Sequence, residues 1–362
     1  MLTIEEIEKI QFVFIVGRGR SGTTLLQTIL DANKNAILPL ESRLIIHLKQ
    51  KYFNIKKWNN ELIDELIIDL YKDKKFNQSW GINSKELTQR IKSYDFEKLS
   101  FSTICKLIYL SYPSPFEKGE IKLIGDKNPI FSIFIPDLLE VFPNAKFIHL
   151  IRDYRDNTVS NRESFVRKSI ATIGNGWIAF NLFIEKNKSL LPKSFFTLKY
   201  ESLVTEPEQK VKELCNFLSI DFNSNMLNFH QKIKVLHEEH NFEAVNSIHA
   251  NLVKPINTKQ INKWQGKLSI NEIELLDYIC RDYASKYEYI STTNKSSILF
   301  YIKSLIGKLN YKKDFIVIKT YYKSPFIFRD LTGYISLHLY KWFKFSDYYN
   351  HADFRFNNDS LK

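Results

Sequence analysis

Gly17 and Gly22 follow the apolar run Phe12 to Val16 at the spacing of a nucleotide-gripping turn, G-x-x-x-x-G-K-[ST], but Thr23 stands where that turn has its lysine. A strand, a glycine-rich turn and a helix N-terminus together favour an anion, because backbone N–H groups and the positive end of the helix dipole meet there. The cationic charge lies upstream, on Arg18 and Arg20. Thr23 and Thr24 offer two hydroxyl donors in place of an ammonium and a magnesium ligand. The chemistry is therefore the holding of a phosphate-like group without a metal. A tight turn that merely begins a helix is the competing reading, since glycine-rich turns after strands are common.

The loop needs a frame, and the flanking residues describe one. Leu25, Leu26, Ile29 and Leu30 recur at helical spacing after the turn. A second strand is predicted from Ile121 to Ile124, ending at a polar turn, a third over residues 145 to 153 and a fourth from residue 194. Helical patterns, "DLLEVF" and "EQKVKELCNFL", lie between or after them. Such alternation predicts an α/β fold with a P-loop and a mainly parallel central sheet flanked by helices. Sites in such sheets lie at the carboxyl ends of strands, and each strand here ends in charge: Arg20, Lys127, Arg152 and Glu201.

Composition bounds the partners. The 362 residues carry 52 Lys and Arg against 40 acids, a formal +12, which suits acidic ligands, nucleic acid or anionic lipid alike. No recognised nucleic-acid module is present, so nucleic acid is not expected as a partner. Cys105, Cys215 and Cys280 are too widely spaced for a disulfide framework or a zinc site. The start, "MLTIEEIEKI", is acidic and unlike a signal peptide. No run reaches the roughly 18 apolar residues of a membrane span. These features predict a cytoplasmic setting.

Residues 295 to 362 hold twelve Lys or Arg against five Asp, a net +7 out of the total +12, and are dense in aromatics, as in "FIVIKTYYKSPFIF". Basic residues interleaved with aromatics can lie on an anionic membrane surface, which would make the protein peripheral at the inner membrane face. An add-on packed against the core, solvated by its lysines, is the alternative.

The strings "RSGTTLLQTILDANKNAILPLESR", "DKNPIF", "FPNAKFIHLIRDYRDNTVS", "LKYESLV" and "KPINTKQINKWQGKLS" resemble, in order, the motifs of sulfotransferases that use 3′-phosphoadenosine 5′-phosphosulfate (PAPS). The pattern is most similar to the tyrosylprotein sulfotransferase branch and runs from about residue 10 to about residue 285. The expected organisation is a sulfotransferase domain over 1–290 and a basic, aromatic-rich C-terminal extension over 291–362.

The resemblance implies a role for each matching residue. Arg20 would do the lysine's work on the 5′-phosphosulfate, with Ser21, Gly22, Thr23 and Thr24 completing the cradle and PAPS serving as co-substrate without a metal. Glu41 would be the general base, with burial lifting its carboxyl from about 4 towards neutrality. Arg43 would lie beside it. Lys127 would steady charge on the sulfuryl and leaving oxygens. Arg152 and Ser160 would bind the 3′-phosphate, with Asp156 capping the helix that carries the serine. Some relatives have a further arginine four residues beyond that serine; this chain has Ser164, with Arg162 or Arg167 as substitutes. Tyr200 would pack near the adenine. Lys254, Lys263, Trp264 and Lys267 would belong to a closing loop.

The acceptor hydroxyl, on a peptide tyrosine, a saccharide or a lipid, stays open, as does a homodimer. The tyrosylprotein branch is usually luminal and disulfide-bonded, whereas no cysteine flanks Glu41 or Lys127 here, which keeps the cytoplasmic expectation. Two other classes compete. A P-loop kinase should show lysine at Thr23 and a metal-binding aspartate. A non-catalytic anion-binding or membrane-docked protein would need no base.

Overall fold

In a computed structural model of the chain, residues 2–164, 168–240, 252–325 and 328–329 are described. Arg167 and residues 330–362 of the basic extension lie outside them. Five strands, β1 (Gln11–Val16), β2 (Ala36–Ile37), β3 (Leu123–Lys127), β4 (Lys146–Ile151) and β5 (Phe195–Lys199), form one sheet in the order β2-β3-β1-β4-β5. Every pairing is parallel. The expected α/β architecture with a parallel sheet is therefore present. β2, two residues long, is the strand that alternation alone does not reveal.

The chain divides into two compact units. The first comprises Met1–Gly17, Ser21–Ile151 and Ile184–Thr258 and contains the sheet. Its central strands read as continuous apolar runs because both faces are covered. On one face Val13, Ile15, Ile148 and Leu198 pack with Leu26, Ile29 and Leu30 of the helix Thr23–Asp31 and with Leu214 and Leu218 of the helix Pro207–Leu218. On the other, Phe14 stacks on Phe147 at 5.5 Å between ring centroids and meets Phe131 edge-on at 5.6 Å.

β3 corrects the expected boundary. It begins at Leu123 rather than Ile121 and runs on through Gly125, Asp126 and Lys127, paired with Val13, Phe14 and Ile15. Two ionisable residues can stay in a buried strand because each side chain has a partner: the Tyr109 hydroxyl donates to Asp126, and Lys127 is ion-paired with Glu41.

The second unit comprises Arg18–Arg20, Arg152–Phe183 and Lys259–Lys362. Trp177 is fully buried, with Tyr154 and Tyr283 edge-on at 5.7 and 5.8 Å. The first helix of the extension, Ile298–Lys323, packs closely on the residues from Ala171 onward. A Cβ added to Gly307 would lie 2.5 Å from the Ala171 carbonyl carbon. Asn175 Nδ2 donates to the Ser304 carbonyl at 3.2 Å, and Lys168 pairs with Asp314 at 2.8 Å.

Candidate active site

In the first unit, the loop after β1 is built for close backbone approach. Gly22 is the N-cap of the helix Thr23–Asp31 at φ 91°, ψ 14°, in the left-handed region that favours glycine. A Cβ there would lie 2.4 Å from the Tyr200 ring. Tyr200, expected near an adenine, is thus buried against the turn itself and fixes its height. Gly17 N–H donates to Ser132 Oγ at 3.0 Å, anchoring the start of the loop. Ser21 and Thr23 are buried, and no side chain caps the helix among the described residues, the arrangement of an anion-receiving N-terminus.

Lys127 projects from the end of β3 to Thr24 Oγ1 at 3.2 Å and to Glu41 Oε1 in a close ion pair. Three residues 103 and 86 positions apart in sequence thereby converge: Thr24 on the loop helix, Glu41 after β2 and Lys127 on β3. Glu41 Oε2 accepts from Lys75 Nζ at 3.1 Å. The segment carrying Glu41 is pinned on several sides. Trp80 Nε1 donates to the Leu40 carbonyl at 2.9 Å, and Asn128 Nδ2 to the Ser42 carbonyl at 3.3 Å. Asp73 Oδ2 accepts from Ser42 Oγ at 3.1 Å and from the Arg43 N–H at 3.0 Å. The other oxygen of Asp73 caps the helix Lys74–Ser79 by accepting the N–H groups of Lys75 and Phe76. Asp73 and Lys75 are site residues that the motif pattern does not reveal. An aspartate before "KKFNQS" is a readable helix cap, but Lys75 has no mark among its neighbouring lysines.

Electrostatics reverse one expectation. Burial alone would raise the Glu41 carboxyl, but Lys127 and Lys75 outweigh burial and hold it well below the usual carboxylate range. Glu41 is ionised, not tuned towards neutrality. Burial lowers Lys127, with Glu41 opposing the shift. Asp126, one residue earlier on the opposite face of β3, is pushed up by burial to about 8, so its carboxyl keeps a proton at neutral pH.

In the second unit, Arg20 Nε donates to Ser160 Oγ at 3.2 Å, and Arg152 Nη1 donates to the Arg20 carbonyl at 3.1 Å. Asn157 Nδ2 holds the Gly19 carbonyl at 2.9 Å, and Trp177 Nε1 holds the Arg152 carbonyl at 3.0 Å. Arg18 stacks on the Phe180 ring, 4.8 Å from its centroid. Arg20, Arg152 and Ser160 are thus brought together. The expected cap is corrected. Asp153, not Asp156, accepts the Arg155 N–H at 2.7 Å at the start of the helix Tyr154–Ser164. Asp156 lies within the first turn and instead accepts the N–H groups of Asn262 and Trp264, at 2.8 and 3.0 Å. Through that pair the closing segment is tied to the helix that carries Ser160. Arg152 Nη2 adds a bond to the Gln260 carbonyl at 2.6 Å.

The remaining candidates are dispersed. Trp264 is buried with the Arg155 guanidinium 4.3 Å above its ring. Lys263 pairs with Glu163 at 2.8 Å and Arg162 with Glu272 at 2.8 Å. Lys254 and Lys267 are exposed, and Arg43 is half-buried. The three cysteines are buried free thiols. No group of acidic, histidine or cysteine side chains among the described residues could hold a metal ion.

A model of the sulfotransferase family matches residues 12–224. Protein-tyrosine sulfotransferase A of Caenorhabditis elegans is 24% identical over 278 residues, 74% of this chain and 64% of the relative. Protein-tyrosine sulfotransferase 1 of Danio rerio is 23% identical over 268 residues, 72% and 67% of the two chains. The chain thus spans about two thirds of the length of these relatives. Among solved structures, the sulfotransferase domain of the Synechococcus PCC 7002 olefin synthase aligns with a TM-score of 0.48 and 18% identity, over 74% of this chain and 93% of that one. These relatives correct the expected location. They are protein-tyrosine sulfotransferases, the branch described above as luminal, and the expectation of a cytoplasmic enzyme at the inner membrane face does not stand.

Proposed function

The chain belongs to the sulfotransferase family, and from that premise we propose that it transfers a sulfuryl group from PAPS to the hydroxyl of a peptide tyrosine. The observation that carries the reading is the convergence of Glu41, Lys127 and Thr24 beside a glycine turn that tolerates no Cβ. The tyrosine acceptor rests on the names of the relatives.

The donor fits the residues present. The uncapped helix N-terminus at Gly22 offers backbone N–H groups to an anion, and the planar fork of Arg20 supplies paired donors of the kind a phosphosulfate accepts. Sulfuryl transfer forms a bond from the acceptor oxygen to sulfur and returns the electron pair of the broken sulfur–oxygen bond to the donor's 5′-phosphate. Glu41, ionised by its two lysines, takes the proton from the acceptor hydroxyl. Lys127 turning to the leaving oxygens returns part of the basicity that it takes from Glu41, and a phenol, at about 10, gives up its proton more readily than an aliphatic alcohol. Lys127, already bonded to Thr24, turns its ammonium to the charge that develops on the leaving oxygens. A fixed donor of this kind contributes about 3 to 4 kcal/mol. Lys75 remains with Glu41 when Lys127 turns away. Arg152 and Ser160 hold the 3′-phosphate.

Two measurements test this reading. Calorimetry should show adenosine 3′,5′-bisphosphate binding at least about tenfold more tightly than AMP, and Arg152→Met should remove that preference. Equal affinities in the unaltered protein would sink the donor assignment. Incubation with sulfur-labelled PAPS and separate peptide, saccharide and lipid acceptors should place label on the tyrosine peptide. Label on the saccharide or lipid alone refutes the acceptor and leaves the donor standing.

A further inference from the structure

The helix Ile298–Lys323 shows two opposite apolar faces, and the reaction uses neither. Its 26 residues rise about 39 Å at 1.5 Å each. Phe300, Gly307, Ile318 and Tyr322 are buried on the side that meets Ala171 and its neighbours. The far side carries Ile298, Ile302, Leu305, Leu309 and Ile316, whose spacing places them in one stripe at 100° per residue. They are 46 to 75% exposed. Single exposed leucines are ordinary, whereas a stripe of this length marks an interaction surface.

Charge decides what covers it. The helix contains six lysines and one acid. By the same geometry Lys308 and Lys312 run along one edge of the stripe and Lys313 along the other. The one acid, Asp314, faces the packed side, where it is neutralised by Lys168 at 2.8 Å. Tyr301, 54% exposed, adds an amphipathic ring beside the stripe. No helix among the described residues, this one included, is long and apolar enough to cross a membrane.

We propose that the outward face of the helix Ile298–Lys323 docks the enzyme on an anionic lipid bilayer, with the isoleucine and leucine stripe entering the acyl boundary and the flanking lysines paired with headgroup phosphates. An apolar strip edged by cations and free of acids is complementary to that boundary, where long lysine stems reach up to the headgroups. The helix is already packed on its other side, so docking does not have to order it.

The test uses the full chain and vesicles of about one third phosphatidylglycerol in phosphatidylcholine. Co-sedimentation should be strong at low salt and fall steeply towards 0.5 M, where surface charges are largely screened. Leu305→Glu with Leu309→Glu should abolish it. Lys308→Gln with Lys312→Gln should weaken it more than tenfold, at about fivefold per lysine. Both stripe residues are exposed, so binding of adenosine 3′,5′-bisphosphate should be unchanged, which controls for folding. Absence of vesicle binding in the unaltered protein overturns the proposal. So does binding that ignores the leucine variants, which would place the lipid contact elsewhere. A dimer that the leucine variants convert to monomer, or loss of solubility and a lower melting point, would show the stripe to be covered by protein, and that also overturns it.

Discussion

Glu41→Gln separates the chemistry of the site from its electrostatics. Lys127 is 3% exposed, and its partners are the Glu41 carboxylate and Thr24 Oγ1. The substitution keeps the shape of the side chain but leaves a buried ammonium with neutral partners and with Lys75 still nearby. Removing one member of a fully buried pair costs about 3 to 5 kcal/mol. Glu41 is 29% exposed, so solvent screens part of the pair, and a loss of about 2 kcal/mol is expected.

The pH dependence follows from the same change. Burial already lowers Lys127 in the folded chain, and without Glu41 the lowering deepens. The unfolded chain then binds more protons than the folded one between the two lysine values. The stability of the variant should therefore rise from about pH 7 to about pH 10 more steeply than that of the unaltered protein. Urea unfolding at both pH values reads the slope. Adding Lys127→Met removes the stranded charge and should return most of the lost stability, although turnover stays about 10²- to 10⁴-fold down. Full turnover in Glu41→Gln refutes its role as base, and superimposable pH slopes refute the buried pair.

Gly22→Ala should weaken binding of adenosine 3′,5′-bisphosphate at least about tenfold by calorimetry, since its Cβ meets the Tyr200 ring at 2.4 Å and φ is 91°. Unchanged affinity would mean that the turn does not hold the donor. Asp126, raised to about 8 by burial, keeps a proton in the folded chain that the unfolded chain loses above about pH 4. Its contribution therefore lowers stability as pH climbs from about 4 to about 8, and Asp126→Asn should flatten that decline in urea titrations while preserving the Tyr109 contact. Parallel declines in both proteins would show that the buried carboxyl does not titrate as inferred.

The sheet is legible because its central strands are apolar on both faces and end at turns, as "QFVFIV" and "KFIHLI" show. Periodicity cannot extend β3 through Asp126 and Lys127, because charge ordinarily ends a buried strand. Tyr109, Glu41 and Thr24, carried in by other segments, make those residues tolerable there. Motif order brings Glu41, Lys127, Arg20, Arg152 and Ser160 into view, but not the sign of the shift at Glu41. That sign comes first from the close pairing with Lys127, which only the fold shows, and then from Lys75, a lysine without local signature, carried in by a helix that Asp73 caps. Asp156 misleads because it stands near a helix start, where an aspartate has two uses, and only the fold shows the closing segment that claims it.

Arg20 has φ 72°, a left-handed backbone that a residue with a Cβ occupies at a cost of about 1 kcal/mol, and its side chain reaches Ser160 from there. Conformation and charge therefore pull on this position in opposite directions. In a library randomised at residue 20 and sorted for thermal stability alone, glycine should be enriched, because it relieves the backbone. Sorting the same library for turnover should return arginine. The loop is thus a place where the two selections part company, and a thermostabilised form of this chain obtained without an activity screen would be expected to lose its sulfuryl grip first.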